Sequence, residues 1–132
     1  MRKQVLIVED HEHLAEALAL VLDGDLRFRT CGVAADIPDA IALMPDAGAD
    51  LVILDINLPS GSGLDLIPIL RTANPAAQYL VFSRQEEAVY APLARRAGAH
   101  GYLRKGASPR AILEVASTIV GGGRHFPGIR ED

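Results

Sequence analysis

Leu51-Val52-Ile53-Leu54-Asp55 is the stretch on which the fold turns. Four consecutive aliphatic residues are too few for a helix, and a run without polar alternation suits a strand covered on both faces. The run stops at a carboxylate. A turn-forming stretch over residues 59–63, rich in Pro, Gly and Ser, follows it.

The same pattern repeats on either side. Upstream, Val5-Leu6-Ile7-Val8 breaks into Glu9-Asp10, and Leu14, Ala15, Leu18, Val21 and Leu22 then recur at helical spacing. Residues 27–33 alternate weakly and read as a second strand. Asp36 with Pro38 opens a helix that carries Ile41, Ala42 and Met44. Downstream, Leu64, Ile67 and Leu70 make a helical face, and Tyr79-Leu80-Val81-Phe82 is a strand ending at Ser83. A fourth helix is expected from about residue 85 to 96, followed by a strand, His100-Gly101-Tyr102-Leu103, leading to Lys105. Ser108-Pro109 is an N-cap followed by a first-turn proline. It starts a final helix with Ala111, Ile112, Val115, Ala116 and Ile119, which stops at the glycines 121–123.

Strand and helix thus alternate five times. The pattern predicts an α/β fold: a doubly wound, five-stranded parallel sheet, flavodoxin-like, in strand order 2-1-3-4-5, with helices on both faces. Residues 1–121 are expected to form this domain. Residues 122–132, Gly-rich and polar, read as a tail or the start of a linker.

Composition agrees with a single core. The 132 residues are 49% hydrophobic and 23% charged, without Trp, so the interior is aliphatic. A net charge of −4 argues against direct binding to nucleic acid. Cys31 stands alone, which excludes an internal disulfide or a cysteine zinc site, and it is expected as a small buried hydrophobe. No apolar run reaches the length of a membrane span and no signal-peptide pattern is visible, so a cytoplasmic location is expected.

In a parallel sheet the strand ends share one edge. Glu9, Asp10, Asp55, Ser83 and Lys105 are therefore expected in one crevice. Three carboxylates that close repel one another and call for a cation; oxygen ligands suit Mg²⁺. The lysine adds a point charge suited to phosphate oxygens. Such a site fits phosphoryl transfer onto a carboxylate nucleophile.

Over residues up to about 123 the chain resembles the CheY-like receiver family of response regulators. The likeness is carried by Leu6-Ile7-Val8-Glu9-Asp10-His11, Asp55-Ile56-Asn57-Leu58-Pro59 with Gly63, Phe82-Ser83, and Ala97-Gly98-Ala99-His100-Gly101-Tyr102-Leu103-Arg104-Lys105. The resemblance implies that Asp55 is the phosphoacceptor, and that Glu9, Asp10, Asp55 and the backbone carbonyl of Asn57 hold Mg²⁺. It makes Ser83 the switch hydroxyl, Lys105 the partner of the phosphoryl oxygens, and Tyr102 the aromatic that swings inward on activation. The donor would be the phosphohistidine of a sensor histidine kinase. The protein would be a self-phosphorylating and self-dephosphorylating switch rather than a conventional enzyme. The Val-Gly-Gly-Gly-Arg-His-Phe ending resembles the NarL/FixJ subgroup, whose linker leads to a DNA-binding domain. That implies control of transcription through a separate domain, with this chain either a fragment of such a regulator, the favoured reading, or a stand-alone receiver. Whether activation drives homodimerisation stays open, and no membrane partner is expected.

Some positions depart from the family pattern. Gly106 stands where Pro often follows the lysine, which suggests a looser loop, and Arg84 puts a long cation where a small residue is usual. Gln85 and Asn57 occupy positions that influence phosphoryl lifetime. Pro92 falls inside the fourth helix, where a missing N–H and a clash cost ~3 kcal/mol, so a kinked, shortened or irregular helix is expected. Pro68 is expected to tighten the start of the third helix. His11 and His13 sit at i, i+2, which on a helix points them apart, so His11 is expected near the acids without binding metal. The competing reading is an atypical, phosphorylation-independent receiver that acts as a protein-binding module. An aspartate-dependent phosphohydrolase would want a second acid where Asn57 stands, and a flavin or nucleotide carrier would not place Glu9-Asp10 after its first strand.

Overall fold

The computed structural model describes residues 1–127. Its elements run β1 (Lys3–Val8), α1 (Glu12–Asp23), β2 (Phe28–Ala34), α2 (Ile37–Ala47), β3 (Leu51–Leu54), β4 (Asn57–Leu58) and β5 (Gly61–Ser62). They continue with α3 (Gly63–Ala73), β6 (Gln78–Ser83), α4 (Glu87–Ala97), β7 (Gly101–Arg104) and α5 (Pro109–Val120). Five strands form a parallel sheet in the order β2-β1-β3-β6-β7, which is 2-1-3-4-5 when only these five are counted. β4 and β5 form a small antiparallel hairpin inside the stretch read as a loop, pairing Asn57 with Ser62 and Leu58 with Gly61.

The uninterrupted aliphatic runs follow from the two covered faces. Val5, Ile7, Leu51, Ile53, Leu80 and Phe82 pack on one side against residues of α1 and α5, among them Leu18, Leu22, Ile112 and Ile119. Their neighbours Leu6, Val8, Val52, Leu54, Tyr79 and Val81 face the other way, against Met44, Leu66, Ile67, Leu70, Ala91 and Ala94 of α2, α3 and α4. Alternate residues of one strand thus serve two cores. Each buried aliphatic side chain contributes roughly 1.5–3 kcal/mol relative to exposure.

Helix ends match their cues where a polar cap exists. Asp36 accepts from the backbone N–H of Ile37, and Ser108 accepts from that of Ala111 at 3.1 Å. α4 is the exception. It starts at Glu87, two residues later than expected, and Glu86 gives it no side-chain cap bond. It does not break at Pro92, however. Pro92 is the sixth residue, so only the Ala88 carbonyl loses its helical partner, while Ala91 and Ala94 bury the helix against the sheet. Pro68 is likewise the sixth residue of α3 and not in its first turn, and Pro45 lies in the last turn of α2.

Two further expectations change. Cys31 is only half-buried on the edge strand β2, and burial pushes its thiol up from the ordinary value. The chain beyond α5 turns back onto the sheet. His125 bridges Gly101 in parallel register; its carbonyl accepts from Tyr102 N–H at 2.8 Å, and its N–H donates to His100 at 3.0 Å. Phe126 is buried in the same cluster as Tyr102, Ala91 and Ala94, with the Arg95 guanidinium 6.0 Å from its ring centroid. The described part of residues 122–132 is therefore anchored; from residue 128 the expected tail lies outside the described residues.

Candidate functional site

The main chain sets the crevice before any side chain does. Asp55 N–H donates to Val8 C=O at 3.1 Å, and Lys105 N–H donates to Ser83 C=O at 2.9 Å. These bonds extend the strand ladders by one rung and align the ends of β1, β3, β6 and β7. Gly63 closes the loop after Asp55, with its N–H on the Ile56 carbonyl at 2.7 Å. A Cβ at Gly63 would stand 1.9 Å from the Asp55 carbonyl oxygen, so this position has no room for a side chain.

Lys105 joins the acids. Its Nζ lies 2.6 Å from Glu9 Oε1 and 2.7 Å from Asp55 Oδ2, although Lys105 and Asp55 are 50 residues apart. Asp55 Oδ1 accepts the backbone N–H of Ile56 at 2.7 Å. The three groups sit largely out of water: Glu9 is 5% exposed, Asp55 6%, and the Lys105 side chain 6%. Asp10 is more open at the rim. With Asp10 included, three carboxylates meet one ammonium, which leaves the crevice two negative charges in excess. Buried charge of that kind demands a counter-cation.

His11 contributes more than its spacing indicated. It is the N-cap of α1 and not a residue of the helix, so its ring folds back, Nδ1 3.1 Å from Glu9 Oε2 and 3.4 Å from Asp10 Oδ1. One ligand atom from each of Glu9, Asp10, His11 and Asp55 lies within 4.8 Å of the others. His13 is exposed on α1.

The remaining residues line the approach. Ser83 is buried at the end of β6, and its Oγ accepts from Gln85 N–H at 3.2 Å. The Tyr102 ring is fully buried, already inside, and its hydroxyl donates to the Gln85 carbonyl at 2.6 Å. Burial pushes the Tyr102 phenol above its ordinary value, with the hydrogen bond to Ser83 pulling the other way. Asn57 lies in the β4–β5 hairpin with its side chain exposed. Arg84 is exposed, with no side-chain hydrogen bond or ion pair among the described residues. Gly106 has φ 104°, a conformation closed to proline, whose φ is locked near −65°. The turn is hydrogen-bonded, Ala107 N–H to the Arg104 carbonyl, so this departure changes the backbone path and does not leave it unheld.

A doubly wound sheet with a carboxylate–lysine crevice at its carboxyl edge is the arrangement seen so far. The chain belongs to the response regulator receiver domain family, whose profile matches residues 5–117. It is 30% identical over 123 residues to the nitrate/nitrite response regulator protein NarP of Escherichia coli, covering 93% of this chain and 57% of that protein. It is 28% identical over 123 residues to the transcriptional regulatory protein MctR of Rhizobium johnstonii, covering 93% and 58%. The crystal structure of a LuxR-family two-component response regulator from Aurantimonas superposes with a TM-score of 0.89 at 26% identity, over 96% of this chain and 91% of that one. The chain spans under two thirds of the length of these two regulators. No helix among the described residues is long and apolar enough to cross a membrane.

Proposed function

We propose that Asp55 accepts a phosphoryl group from the phosphohistidine of a sensor histidine kinase, in a Mg²⁺-dependent reaction, and that the resulting change controls transcription through a separate DNA-binding domain. The observation that carries this reading is the Lys105 ammonium held between Asp55 Oδ2 and Glu9 Oε1. A lysine so placed neutralises part of the carboxylate charge that would repel an incoming phosphoryl group.

The donor set suits Mg²⁺: hard oxygen ligands and two uncompensated negative charges. Glu9, Asp10 and Asp55, with the Asn57 carbonyl, are the residues that would hold it, and it would supply charge neutralisation for the transferring group. Asp55 Oδ2 attacks phosphorus as the phosphorus–nitrogen bond of the donor breaks, and the electron pair leaves with the imidazole. Lys105 exchanges its contact with Asp55 for one with a phosphoryl oxygen. Ser83 turns its hydroxyl from the Gln85 N–H toward another, and the Tyr102–Gln85 bond ties that movement to the start of α4. The similar MctR is named a transcriptional regulatory protein, which supports the proposed output.

The test is incubation with acetyl phosphate, with and without Mg²⁺, read by intact mass beside Asp55→Asn. A Mg²⁺-dependent gain of one phosphoryl group, absent in the variant, is expected. No gain, together with no Mg²⁺-dependent binding of beryllofluoride, would replace this reading with the phosphorylation-independent module.

A further inference from the structure

The opposite edge of the sheet has a charged cavity that the phosphoacceptor reading leaves unused. It lies where β6 and β7 begin, has a volume of about 290 Å³, and is lined by Arg71, Arg95, Gly98, His100 and Arg124 among others. The arginines come from three separate pieces of chain: the last turn of α3, the last turn of α4, and the segment after α5. Arg71 is pre-set. Its Nη2 donates to the Gly98 carbonyl at 2.7 Å, and its guanidinium lies 5.8 Å from the Tyr79 ring centroid. His100 is fixed too, because its Nδ1 accepts the Tyr79 N–H at 3.0 Å. That bond requires a lone pair on Nδ1, which leaves Nε2–H as a donor in a residue lining the cavity.

A bland account exists: arginines near helix C-termini offset the negative dipole ends of α3 and α4. The magnitudes show that this is not enough to balance them. Two helix ends amount to about −1 in all, at roughly half a charge each. Arg71 and Arg124 alone bring +2. Among the described residues no carboxylate lies within ion-pair distance of Arg71 or Arg124. The unmatched positive charge is felt locally, since Arg124 and Arg71, after burial, hold His100 below its ordinary value.

We propose that this cavity is a second anion site, taking the phosphate or diphosphate group of a small soluble molecule and bridging Arg71 to Arg124. Planar guanidinium groups pair with tetrahedral oxyanions through paired N–H bonds, which favours phosphate over a spherical ion. Among the described residues no Phe, Tyr or Trp lines the cavity to stack a base, so the site reads the anion and not a nucleoside. Occupancy would clamp the segment after α5 to α3, and with it the Phe126 anchor and the Tyr102–His125 hydrogen bond.

The test is an amide NMR titration of the chain with inorganic phosphate, pyrophosphate, ADP and succinate, each against sodium chloride at equal ionic strength. Saturable shifts at Gly98, His100 and Arg124 are expected for pyrophosphate and phosphate, with ADP no tighter than pyrophosphate and succinate weaker. Arg124→Gln removes an exposed side chain and should weaken binding roughly tenfold; Arg71→Lys, which keeps the charge and loses the fork, should also weaken it. Shifts confined to residues around Asp55 and Lys105 would overturn the proposal. So would succinate equalling pyrophosphate, ADP binding tenfold tighter, or affinity unchanged in both variants.

Discussion

The two edges of this sheet hold charge in opposite ways. At the carboxyl edge Glu9 and Asp55 are nearly out of water and share the one Lys105 ammonium within 2.7 Å. At the amino edge Arg95 and Arg124 remain open to solvent, and Arg71 is half-covered. A buried charge has no solvent to fall back on, so it must be matched by a neighbour; an exposed one is already served by water and stays available to a ligand. Substitutions at the first edge should therefore act on folding, and those at the second on binding and pH response.

The largest effect is expected from Gly63→Ala. Its Cβ would collide with the Asp55 carbonyl at 1.9 Å, a backbone atom with nowhere to move. Chemical denaturation should show a loss of about 4 kcal/mol, and any folded fraction should take up less phosphoryl group. Lys105→Ala comes next. It leaves Glu9 and Asp55 buried without their ammonium, a loss of about 3 kcal/mol. Added Mg²⁺ should restore more stability to this variant than to the parent chain, measured by thermal unfolding. An equal response in both would break the claim that the first edge is governed by buried charge. Phe126→Ala should cost about 2 kcal/mol, below the 3–5 kcal/mol of a central phenylalanine, because it is held from one side of the fold. A cost near zero would return residues 122–126 to the status of a loose tail.

The smallest effect is on pH. Burial, then Arg124 and Arg71, lower His100 from its ordinary 6.5, and burial lowers His125. A histidine depressed in the folded state contributes its full stability above about pH 6.5, and that contribution is lost as pH falls through the lower folded value. Stability should therefore decline below pH 6.5, and Arg124→Gln should soften the decline by relieving His100. Equilibrium unfolding at a series of pH values measures both. An unchanged slope in the variant would mean that Arg124 exerts no field on His100.

These contrasts also explain what could be read from the sequence. The strands of the main sheet declare themselves because each serves two cores, so Val5-Leu6-Ile7-Val8 and Leu51-Val52-Ile53-Leu54 admit little polar alternation. The meeting of Glu9, Asp55 and Lys105 followed from parallel strands ending on one edge. What was not legible depends on the third dimension. His11 was expected near the acids and lies there, but its place as the N-cap, which turns the ring back onto Glu9 and Asp10, was not visible in the spacing. The glycines before His125 and Phe126 read as linker, because nothing local shows that β7 leaves backbone groups to be paired. The amino-edge cavity draws arginines from positions 71, 95 and 124, which have no common spacing. Pro92 does not end the helix, which starts two residues later than expected and runs on to Ala97, with Ala91 and Ala94 buried against the sheet.

The bridge between Gly101 and His125 bears on how copies of this domain can associate. A twisted sheet with two bare margins can recruit neighbours at both and polymerise without limit. Among the described residues, the margin beyond β7 is occupied in part by the chain itself, whereas no segment pairs with the outer margin of β2. Recruitment through one margin alone ends with a closed pair related by a two-fold axis, since each copy spends that margin on the other. The few residues folded back after α5 thus leave less of the β7 margin open to strand addition than of the β2 margin.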